Sequence, residues 1–63
     1  MTNSVITWNT HKTEGGFEFR VYTVGYQVPS EILKSGVCRT RAVAVRMAKQ
    51  WTLYLKAQAR RAA

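Results

Sequence analysis

Acid–base chemistry at neutral pH needs ionisable groups held together, and this sequence offers few. Its acids are Glu14, Glu18 and Glu31, its one histidine is His11 and its one cysteine is Cys38. A general acid or base works only beside a second group that tunes or orients it, and no spacing here pairs two of the glutamates. A zinc site takes four ligands, mostly Cys and His, so one of each is too few. A lone cysteine forms no intrachain disulfide. Cys38, between Val37 and Arg39, reads as a small hydrophobe at the end of a strand. Gly15–Gly16 reads as a turn, without the lysine and hydroxyl that complete a phosphate-binding loop. The expectation is a binding protein: no enzyme, no cofactor and no metal.

The cations are the informative group. Arg39, Arg41, Arg46, Lys49, Lys56, Arg60 and Arg61 crowd the segment from Gly36 to Ala63, which contains no acid. The whole chain has 10 Lys and Arg against 3 Asp and Glu, a formal charge of +7. Such a balance suits nucleic acid best, and an anionic membrane or an acidic protein less often. A solvated helix ordinarily mixes signs at i,i+4, where like charges repel. An anionic partner removes that repulsion.

These residues must be carried by one small domain, residues 1–63. With 46% hydrophobic and 11% aromatic residues the chain is too apolar for disorder. It is also near the lower size limit for a core without disulfides or metal. The segment Ser4–Trp8, "SVITW", predicts a strand, and "NTHKTEGG" a hairpin loop of more than two residues that holds His11 and Lys12. Phe17–Tyr26 predicts a second strand. Alternation puts Phe17, Phe19 and Val21 on a core face, with Glu18, Arg20, Tyr22 and Tyr26 on the other.

"QVPSEILKSG" admits two readings. In one, Ser30 caps a helical turn over Glu31–Lys34; in the other, Glu31–Leu33 or Val37–Arg39 is a short third strand. A turn followed by a brief strand near Val37–Arg39 is favoured. From Thr40, an N-cap residue, strong helix formers run to Ala63. At about 100° per residue, Val43, Ala44, Met47, Ala48, Trp51, Tyr54 and Leu55 share one face, which is expected to pack on Phe17, Phe19 and Val21. Arg46, Lys49, Lys56 and Arg60, with Arg39 if it is helical, share the opposite face. The fold class is therefore α+β: a small antiparallel sheet of two or three strands against one long C-terminal helix.

The stretch "GGFEFRVYTVGY…SGVCRTRAVAVRMAKQW", with Trp8 ahead of it, is similar in layout to the arm-type DNA-binding domain of phage integrases and to related plant transcription-factor domains. "GGFEFRV" resembles their second strand, and "CRTRAVAVRMAKQW" their helix start, with Thr40 as cap. The similarity spans Ile6 to about Leu55. It implies a three-stranded sheet before one helix, and DNA contacts from the sheet, hence from Lys12, Arg20 and Tyr22. Two features depart from that pattern: the linker is less basic than the family's third-strand region, and no catalytic domain follows. The last helix is also similar to the end of double-stranded-RNA-binding domains, but the first helix of that fold and its lysine cluster are missing.

The sequence thus predicts nucleic-acid binding, DNA rather than RNA, through Lys12, Arg20, Tyr22, Arg39, Arg41, Arg46, Arg60 and Arg61. The alternative is a phage- or prophage-type interaction module whose basic helix meets an acidic surface of a host protein. No apolar run approaches the ~18 residues of a membrane span and no signal peptide is evident, so a cytoplasmic setting in a bacterial or phage-infected host is expected. A sheet covered on one side also predicts homodimer formation, through its outer face or an edge.

Overall fold

The computed structural model describes residues 4–62. Strands β1 (Val5–Thr13), β2 (Gly16–Val24) and β3 (Ile32–Cys38) precede a helix, α1 (Arg41–Ala62). The strands form one antiparallel sheet in the order β1-β2-β3, and α1 packs on one of its faces. This is the expected α+β architecture, with three strands.

The first hairpin differs from expectation. β1 does not stop at Trp8 but runs on through Thr13, pairing from Val5↔Val24 to Thr13↔Gly16. Its loop is only the two residues Glu14 and Gly15. Asn9, Thr10, His11 and Lys12 have turn-like composition, but each faces a residue of β2, and cross-strand pairing overrides local preference. Gly16 makes the tight return feasible. Its φ is +140°, and a Cβ there would run into the carbonyl oxygen of Cys38, so two constraints demand glycine.

β2 ends at Val24, and Tyr26 falls outside it, in the turn Tyr26–Gln27 that joins the Gly25↔Val28 bridge. Gln27 takes the left-handed conformation there, with φ +57°. No helical turn forms at Glu31–Lys34. Both proposed strand fragments overlap one seven-residue strand that continues through Gly36, while Glu31 and Arg39 lie just outside its two ends. The β2 edge supplies the pairing that Lys34, Ser35 and Gly36 do not invite by composition: they face Val21, Arg20 and Phe19. A register shift opposite Val21/Tyr22 takes up one residue of β3. Thr23 fixes the strand's entry: its N–H donates to the Glu31 carbonyl at 3.0 Å, and its hydroxyl accepts from the Glu31 N–H at 3.1 Å.

Thr40 caps α1 as expected. Its hydroxyl accepts from the Val43 N–H at 3.2 Å, and its carbonyl receives the first helical bond from Ala44 at 3.1 Å. The expected end of the helix at Ala63 lies outside the described residues. Phe19, Val21, Ala44 and Ala48 are buried, with Ile6, Trp8, Phe17, Cys38, Met47, Trp51 and Leu55 packed around them. The two alanines let the helix backbone lie close to the sheet. Two expected core residues are not buried: Val43 and Tyr54 are exposed on the flank of the helix. Thr52 takes a core position instead. Its hydroxyl donates to the Ala48 carbonyl at 2.7 Å, which satisfies it inside an apolar contact.

Candidate nucleic-acid interface

The helix covers only one face of the sheet, so the fold has two unlike surfaces: the solvent side of α1 and the open face of the sheet. The register assigns each strand residue to one of them. Val5, Thr7, Asn9 and His11 of β1 share the open face with Glu18, Arg20, Tyr22 and Val24 of β2. Ile32, Ser35 and Val37 of β3 pair with Tyr22, Arg20 and Glu18 and join them.

Arg20 and Tyr22 therefore stand where the sequence puts them. They line a shallow cleft of about 390 Å³ with Asn9, Ser30 and Ile32. Arg20 is engaged, however: its guanidinium donates to Glu18 Oε1 at 3.2 Å, and His11 Nε2 lies 2.9 Å from the same oxygen. His11 is thus a strand residue facing an acid, not a solvated loop residue. Lys12 is not beside Arg20 and Tyr22. It pairs with Phe17 on the helix-side face of the sheet, because the strand continues where a loop is expected.

Of the other predicted cations, Arg41 at the first residue of α1 places its guanidinium carbon 5.4 Å from the centre of the Phe17 ring. Arg39 is exposed in the bend before the helix. Arg46, Lys49, Lys56, Arg60 and Arg61 are all exposed on α1. None of the α1 cations reaches an acid: among the described residues the only ion pairs are those of Glu18. At 100° per residue Arg46, Lys49, Lys56 and Arg60 fall within one side of the helix, away from the buried Ala44–Ala48–Thr52 strip. Arg46 and Arg60 are about 21 Å apart along the axis at 1.5 Å per residue.

The last core contact of the helix is Leu55; every residue from Lys56 to Arg61 is exposed. Lys56, Arg60 and Arg61 thus ride on a helical end with little sheet beneath it. The opposite flank of α1 is apolar. Met47, Gln50, Trp51 and Tyr54 line a cleft of about 300 Å³, and Tyr54 meets Trp51 edge to face at 5.6 Å. Leu53, 69% exposed, lies among the cations. Sequence reasoning did not single out Leu53, although its place between Lys49 and Lys56 in the sequence was the signal.

The structure separates the predicted set. Arg20 and Tyr22 occupy the open sheet face, and Arg46, Arg60 and Arg61, joined by Lys49 and Lys56, the far side of the helix layer. No group of three or more His, Cys, Asp or Glu among the described residues is placed to hold a metal ion. No described helix is long and apolar enough to cross a membrane. No family model, no curated protein and no solved structure matches this chain.

Proposed function

We propose that this is a small nucleic-acid-binding protein that uses α1 as its anion-facing surface and reads sequence weakly. The observation that carries the reading is the row of exposed cations on α1, Arg46, Lys49, Lys56, Arg60 and Arg61, with no acid to neutralise it. Placing like charges along a helix costs stability in isolation. A polyanion reverses that cost and gains further from counterion release. Duplex DNA suits a helix in particular, because its major groove admits one, whereas the deep, narrow major groove of duplex RNA does not. Spread over some 21 Å of helix, such cations position a backbone rather than read a base.

The open sheet face, with its balanced His11–Glu18–Arg20 cluster, contributes little to that attraction. The β-sheet contacts implied by the integrase-like layout therefore weigh less in this reading than the helix does. Fluorescence polarisation with a random-sequence duplex at two salt concentrations tests it. Binding that weakens steeply with salt supports it, and no binding to DNA or RNA at low salt rules it out.

One observation favours a second reading. Leu53, exposed amid the cations, suits an acidic protein surface with an apolar notch, as in a module that captures a host protein. Changing Leu53→Ser separates the two. DNA affinity should hold, whereas docking on a protein partner should be lost.

A further inference from the structure

The open sheet face carries a cluster of features that phosphate binding by α1 leaves unused. Four aliphatic side chains stand in solvent on it: Val5 (61% exposed), Val24 (43%), Ile32 (57%) and Val37 (60%). Tyr22 is half-buried among them, and the Asn9–Arg20–Tyr22–Ser30–Ile32 cleft opens beside it. From the geometry we infer that this face is a self-association surface, on which a second copy of the chain docks sheet to sheet.

Charge selects that occupant. Two chains of +7 repel over the helix side, where Tyr54 is the one ionisable side chain from Arg39 to Arg61 that is not a cation. The open face is the place where charge closes on itself. Glu18 is held between His11 and Arg20, so two copies of this face meet with far less like-charge repulsion than two copies of the helix side. An acidic partner would be drawn to α1 instead. A two-fold axis running across the strands, midway between the rows of Arg20 and Tyr22, sets the guanidinium of each copy against the phenol ring of the other, a favourable cation–π arrangement. The same operation lays β1 on β1 and β3 on β3, so Val5, Ile32 and their neighbours leave water on both copies.

Area sets the strength. Three strands about 4.8 Å apart and about 30 Å long give a footprint of roughly 400 Å² per copy, below the size of a stable specific interface and within that of weak, transient ones. The dimer is therefore weak and concentration-dependent. It carries its helices on opposite outer sides, about 30 Å apart, from ~10 Å between sheets and a helix width of ~10 Å on each side. If α1 binds nucleic acid as proposed, the dimer joins two duplexes rather than clamping one. That last step alone rests on the proposed function.

Sedimentation equilibrium of the full chain without nucleic acid tests the dimer by itself. A monomer–dimer equilibrium in the micromolar to high-micromolar range is expected. Ile32→Lys and Val37→Lys, both at exposed positions, should each weaken it roughly tenfold or more, with unchanged circular dichroism and melting temperature. Leu53→Ser, on the other layer, should leave it unchanged. A strict monomer at high micromolar concentration overturns the inference. So does a dimer that ignores both lysine variants, which would place the contact at a strand edge or on the helix. A monomer whose DNA affinity falls with Arg20→Glu and rises with Ile32→Lys also overturns it, and gives the face to nucleic acid. Loss of DNA binding with the dimer intact would instead count against the proposed function alone.

Discussion

The ammonium of Lys34, on β3, stands 4.5 Å from the centre of the Trp51 ring on α1. α1 lies chiefly over β1 and β2 and touches β3 least, so this contact is the clearest tie between the helix and the third strand. Trp51 also touches the buried core. Trp51→Ala should cost about 3 kcal/mol, comparable to the whole stability of a domain this small. Lys34→Ala should cost less than about 1 kcal/mol, as exposed cation–π pairs do. Urea unfolding followed by circular dichroism checks both. A Trp51→Ala protein that melts like the parent would show that the helix is not docked through this ring.

Gly36 gives a prediction of unusual sign. A glycine inside a strand is ordinarily a weakness, and alanine there should stabilise by about 0.5–1 kcal/mol. Here a Cβ would come within 2.8 Å of Cε1 of the Phe19 ring, and Phe19 is core. Gly36→Ala should therefore destabilise by about 1–3 kcal/mol through overpacking. In the Phe19→Leu background the same change should cost much less, a coupling that a double-mutant cycle measures.

Among the described residues, Thr40 is the only side chain seen capping α1. Thr40→Ala should cost about 1 kcal/mol, and Thr40→Ser much less, since serine keeps the acceptor. Thermal melts of the two variants decide it. Equal losses for both would mean that the methyl group, not the hydroxyl, matters at this position.

The helix cations predict a salt dependence. Five phosphate contacts, from Arg46, Lys49, Lys56, Arg60 and Arg61, give a slope of log affinity against log salt near −4.5 for duplex DNA, at about −0.9 per contact. Reversing Lys49 and Arg60 to glutamate should flatten that slope by about 2 and weaken binding to all sequences alike. Arg20→Glu, on the other layer, should leave the slope within experimental error. A slope that responds to Arg20 and ignores Lys49 would transfer the phosphate contacts to the sheet.

Much of the fold is legible in residue order, and what is not has identifiable causes. Phe17, Phe19 and Val21 alternate with polar residues, and the run after Thr40 is dense in helix formers, so β2 and α1 can be read directly. The second half of β1 and the middle of β3 cannot. Asn9, His11, Lys34, Ser35 and Gly36 favour turns by themselves and become strand only through their partners across the sheet. Thr52 is hidden for a related reason, since the carbonyl that satisfies it belongs to its own helix. The helical wheel gives the direction of Val43 and Tyr54 but not how far the sheet extends beneath them. For the site, the sequence shows which residues are cationic; it does not reveal that the helix shields one sheet face and so divides them between two layers. That division depends on which side of the sheet α1 takes.

The order β1-β2-β3-α1 has a consequence for how the chain reaches this state. Each strand pairs with its neighbour in sequence, through a two-residue hairpin and then a short connection, and no strand crosses over another. Loop closure is therefore cheap at each strand pairing, and the helix returns directly onto the sheet it follows. Such topologies fold early and fast. A single relaxation in the millisecond range or faster is expected in stopped-flow refolding monitored by the two tryptophans, Trp8 on β1 and Trp51 on α1, which report the two ends of the sequence closing on one core.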